Sequence, residues 1–82
     1  MRNDLNTPVD VYGNRVSSTS CQGSGPKKVV PARGHSDSNL DVDAFHVPSG
    51  FKWKVNGSWE GPNEWICVHN GRTAHIQGAI RA

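Results

Sequence analysis

Three dipeptides, Gly13-Asn14, Asn56-Gly57 and Asn70-Gly71, each stand between short runs rich in Val, Ile and Trp. Asn and Gly accept the positive φ angles that a two-residue hairpin imposes, so this spacing predicts strands that double back on their neighbours. No window carries helical periodicity beyond two turns. The chain therefore reads as all-β: a small antiparallel β-sandwich or barrel of about seven to eight short strands joined by tight hairpin turns.

Period-two alternation sets the expected pairings. Residues 9–12 meet residues 15–18 across Gly13-Asn14, with Val11 opposite Val16. Residues 19–26 are rich in Gly and Ser and read as a loop; Val29-Val30 is a short strand ended by Pro31. Residues 33–39 read as loop and residues 40–47 as strand. Phe51-Lys52-Trp53-Lys54-Val55 alternates most cleanly, with both lysines toward water, and returns across Asn56-Gly57 as Ser58-Trp59-Glu60. The last hairpin runs across Asn70-Gly71, setting Cys67 against Ala74 and Trp65 against Ile76. That register gives Trp65, Cys67, Ala74 and Ile76 one apolar face, and Ile66 and Val68 the other. Core candidates are Leu5, Val9, Val11, Leu40, Phe45, Trp53, Trp65, Ile66, Val68, Ile76 and Ile80.

The 82 residues make a single β domain, 1–82, small enough that an oligomer or a cross-link would help it fold. A net charge of +2 does not argue for nucleic acid or an anionic membrane surface. No apolar run is long enough for a transmembrane helix, and the first residues lack the apolar centre of a signal peptide. The expected location is the cytosol at synthesis, or a virion, unless the chain is a mature secreted form with an added Met. Cys21 and Cys67 fit no zinc or redox spacing. They are either two free thiols or one disulfide.

Trp53, Trp59 and Trp65 recur every six residues. Exposed in a row they would stack on sugar rings or anchor a protein; the plainer reading puts two in the core and one over a hairpin edge. Trp53 and Trp59 are the binding candidates, because the register above turns Trp65 inward. Lys27, Lys28 and Arg33 form a basic stretch, followed by Asp37, Asp41 and Asp43. Opposite-charge contacts with a partner or a second copy would use them, whereas two solvated loops would explain them equally. His35, His46, His69 and His75 show no metal-ligand spacing. Residues 37–43 start like a calcium loop, but Val42 replaces the turning Gly and Pro48 the closing Glu. Gly23-Ser24-Gly25-Pro26-Lys27-Lys28 lacks the spacing of a phosphate loop, and Asn56-Gly57-Ser58 is a formal glycosylation sequon best read as a turn.

No cofactor, metal or catalytic signature emerges. The expectation is a non-enzymatic structural or interaction module, an accessory subunit of a larger assembly such as a viral (phage) particle. Its partner would be a protein or another copy of itself. The alternative is an extracellular carbohydrate-binding or protease-inhibitor-like domain that uses exposed Trp residues and a Cys21–Cys67 bridge, with residues 21–28 as the reactive segment.

Overall fold

The computed structural model describes residues 1–36, 42–69 and 73–82. The described residues contain no helix and fall into two sheets, one of five strands and one of four. The first sheet holds β1 (Arg2–Asn3), β4 (Gly34–His35), β6 (Phe51–Val55), β7 (Ser58–Glu60) and β9 (His75–Arg81), in the order β4-β1-β9-β6-β7. The second holds β2 (Val9–Arg15), β3 (Gly23–Val30), β5 (Ala44–Val47) and β8 (Glu64–Cys67), in the order β3-β2-β5-β8. Among the described residues neither strand order closes on itself, so the protein is not a closed barrel.

The expected hairpin at Asn56-Gly57 is present. Asn56 and Gly57 have φ of 48° and 87°, and Val55 faces Ser58. Two positive φ values in sequence follow the twist of the flanking strands. The turn is also docked sideways: His75 N donates to Asn56 Oδ1 at 2.9 Å, and Gly57 N to Gln77 Oε1 at 2.6 Å. Gln77 is the extra residue of a bulge between β6 and β9. A bulge re-aims a side chain, and here that side chain satisfies the turn.

The expected hairpin at Gly13-Asn14 is not formed. β2 runs straight through both residues and turns only after Val16, whose N–H donates to Gln22 O at 2.9 Å. The positive φ falls instead on Gly25, at 74°, where the β2–β3 register shifts. A longer ladder satisfies more backbone groups than an early turn would, so the local Gly-Asn preference is overridden. The consequence reaches further. Residues 23–28, expected as a loop and as a reactive segment, are paired strand.

The last hairpin is corrected too, although Asn70-Gly71 itself lies outside the described residues. Trp65 pairs with His46 and Cys67 with Ala44, while Ile76 pairs with Asn3 and Val55. β8 and β9 therefore belong to different sheets. Alternation states which side chains share a face and is silent on which neighbour supplies the hydrogen bonds. The facing of β8 is reversed as well: Ile66 and Val68 pack on the core, and Trp65 and Cys67 point away from it.

One core draws on both sheets, through Val9, Val11, Val30, Phe45 and Val47 from one and Trp53, Val55 and Ile76 from the other. Phe45 is fully buried, and its ring stacks on that of Trp53 with centroids 6.3 Å apart. Ile80, expected inside, is 49% exposed, because it pairs with Lys52 on the outward face of β9 and β6. Leu40 lies outside the described residues.

Cys21 and Cys67 form a disulfide, with Cα atoms 4.8 Å apart. Cys21 sits at the tip of the β2–β3 hairpin and Cys67 ends β8, the opposite edge of the same sheet. The bridge therefore spans β5, which lies between β2 and β8 in the sheet. Ala44, between Tyr12 and Cys67 in the ladder, is left with no exposed surface.

Candidate binding groove

The chain must cross from the first sheet to the second between β1 and β2, and that crossing opens a groove. Asn3 organises it. This side chain is fully buried and polar, a combination tolerated only when its hydrogen bonds are made. Its Nδ2 donates to Thr7 O at 2.9 Å, Pro31 O at 3.1 Å and, more weakly, Val30 O at 3.4 Å. Its Oδ1 accepts from Leu5 N at 2.9 Å. One amide thus ties the crossing segment to the turn that follows β3.

In that turn Arg33 adopts φ of 54°, and its N–H donates to Leu5 O at 3.0 Å. The Arg33 side chain donates from Nε to Asn6 Oδ1 at 2.7 Å. Among the described residues no carboxylate forms an ion pair with it. Asp4, on the same rim, is already engaged, with Oδ1 at 3.0 Å from Arg2 Nε and Oδ2 at 2.6 Å from His75 Nε2. The hydrogen bond from His75, supported by Arg2, holds the Asp4 carboxyl below its ordinary range despite the opposing effect of burial.

Beneath this rim only the end of β6 and β9 around Phe51 and Ala79 is open. The result is a groove of about 490 Å³ with Trp53, Phe51, Leu5, Pro48 and Ala79 as apolar walls. That volume lies within the range of small-ligand sites, roughly 300–1,000 Å³. Its polar groups are few and gathered at one end: Asp4, Asn6, Thr7 and Arg33.

Trp53 and Arg33, two of the residues singled out from the sequence, therefore meet in one place. The others stay apart. Trp53 itself is not the exposed platform expected of it; at 8% exposure it is core and groove floor together. Inward parity on β6, shared with Val55, explains this. Trp59 is 48% exposed on the opposite face, across from Lys54, so Trp53 and Trp59 form no common surface. Lys27 and Lys28 lie on β3, an edge strand of the other sheet, where Lys27 makes a long 3.9 Å contact with Asp10. An edge carrying two lysines and Pro26 discourages strand-to-strand pairing with another copy.

Sequence reasoning missed Asn3, Asn6 and Phe51. A buried Asn is invisible to hydropathy, since only the crossing of the chain explains its burial. Among the described residues no three His, Cys, Asp or Glu side chains gather as metal ligands. Glu60 and Glu64 do approach each other beside Gly61, where burial and then Glu64 push the Glu60 carboxyl up. Glu64 Oε2 accepts from Gly61 N at 3.0 Å, so this pair serves the turn. Comparison with protein families, curated proteins and solved structures finds no match for this chain.

Proposed function

We propose that this chain is a non-enzymatic interaction module that seats an apolar side chain of a protein partner in the groove, with a neighbouring acidic group on Arg33. The observation that carries this reading is the pairing of an aromatic floor with one cation that no carboxylate among the described residues engages. Guanidinium and carboxylate match in geometry, and a desolvated aromatic pocket is where interfaces concentrate their affinity. We further infer that the two sheets form a sandwich left open at this end. The Cys21–Cys67 bridge favours service in an oxidising setting, such as a secreted protein or the outside of a viral particle. An accessory subunit of such an assembly fits that chemistry.

The test is a titration of the isotope-labelled protein with short peptides that carry Leu or Phe beside Asp or Glu. Saturable shifts at Phe51, Ala79 and the Arg33 Nε–H support the reading. Replacing Asp or Glu in the peptide by Asn or Gln should weaken binding about tenfold, as should Arg33→Gln in the protein. Equal affinity for the acidic and amide peptides would overturn it.

A further inference from the structure

The outward face of the four-stranded sheet carries a second site, which shares only Pro48 with the groove. Parity on β2, β5 and β8 brings Asp10, Tyr12, His46 and Trp65 to that face. Trp65 is half-buried and packs against two rings. Tyr12 meets it edge-on at 5.3 Å and 69°, and His46 lies tilted against it at 4.8 Å. His46 Nε2 donates to Asn63 Oδ1 at 3.0 Å, which fixes the imidazole plane and leaves Nδ1 as an acceptor in the neutral ring. With Pro48 these side chains line a cleft of about 310 Å³.

The walls of this cleft are held before any ligand arrives. A Cβ on Gly23 would sit 2.5 Å from Tyr12 Cγ, so only glycine on β3 lets the Tyr12 ring lie where it does. The disulfide closes the same face at its far end. Side chains locked in this way lose little entropy on binding.

We propose that this cleft binds a pyranose unit of a glycan. Such a ring has one face of C–H bonds, which stacks on an indole or phenol, and a rim of hydroxyls that donate and accept. The cleft answers both needs. Trp65 and Tyr12 supply aromatic surface, the Asp10 carboxylate accepts from vicinal hydroxyls, and the Tyr12 hydroxyl and His46 Nδ1 complete a polar margin. The contact between Asp10 and Lys27 is long, at 3.9 Å, so the carboxylate keeps room to accept from a ligand hydroxyl, whereas a nucleotide would bring its phosphate against that carboxylate. A proline-rich peptide is the competing occupant, because aromatic grooves also take such segments.

Gluco-, xylo-, manno-, galacto- and chito-oligosaccharides at millimolar concentration, titrated into the labelled protein, provide the test. The expected result is a saturable shift of the Trp65 indole N–H, with Phe51 and Ala79 in the groove unmoved. Asp10→Asn keeps the fold and should weaken binding about tenfold. Gly23→Ala should displace Tyr12 and abolish it, and Trp65→Phe, which keeps an aromatic ring, should retain part. No saturable shift with any of the five series overturns the proposal. So does a polyproline peptide that binds at Trp65 when the sugars do not, and so does an Asp10→Asn variant that binds sugar as tightly as the parent.

Discussion

Opening the Cys21–Cys67 bridge should cost this domain a large part of its stability. The bridge spans 46 residues, more than half of the chain. Closing a loop of that length removes entropy from the unfolded chain worth about 4 kcal/mol at 25 °C. A domain of this size has a total stability of roughly 4–12 kcal/mol. The loss is therefore a third of the whole at least, and near all of it at worst. Since about 1 kcal/mol moves the midpoint of so small a domain by roughly 4–8 °C, the melting temperature should fall by about 15–30 °C. The structure adds a local reason: the bridge spans β5, where Ala44 has no exposed surface, and Arg15 Nη1 donates to Cys67 Sγ at 3.5 Å. Circular-dichroism melts of the oxidised protein, the reduced protein and the C21A/C67A double variant would measure it. The reduced protein and the variant should agree. A fall of less than about 4 °C in both would mean that packing at the tip holds without the link, and would refute the reasoning.

Three further outcomes are expected. Asn3→Ala removes the hydrogen bonds to Leu5, Thr7 and Pro31 from a buried position and should cost about 2–4 kcal/mol in a urea titration, with loss of peptide binding at the groove. Gly61→Ala places a Cβ 2.5 Å from Val47 Cγ1 at φ of 96° and should cost about 2–4 kcal/mol, from the left-handed backbone and overpacking together. Asp4 has its folded carboxyl pKa below the ordinary 3.8, so its contribution is present above that value and disappears as pH falls through the lower folded one. Melts between about pH 5 and pH 2 should show Asp4→Asn losing stability less steeply than the parent in that window, and parallel curves would count against the Asp4–His75 contact.

The legible parts of this protein were those written in local pattern. Phe51 to Val55 alternates and Asn56-Gly57 turns, and the structure follows both because a primed two-residue turn and a half-buried strand need only neighbours in sequence. The inward set Val9, Val11, Phe45 and Ile76 was equally readable, since burial of apolar side chains scarcely depends on topology. The candidate site was half legible. Trp53 and Arg33 stood out by type, but as an exposed aromatic and a solvated cation rather than as floor and rim of one groove.

Strands and turns around one interior follow from local pattern alone, because side-chain alternation and the φ preferences of Asn and Gly act over a few residues. Long-range strand pairing makes Gly13-Asn14 strand, sends β8 and β9 to different sheets, and turns Trp65 outward beside Tyr12 and His46. Those outcomes turn on which backbone edges meet, and hydrogen-bonding edges are the same for every residue except proline. A pattern of side chains therefore cannot name its partner strand, and the groove and the aromatic cleft exist only once the partners are chosen.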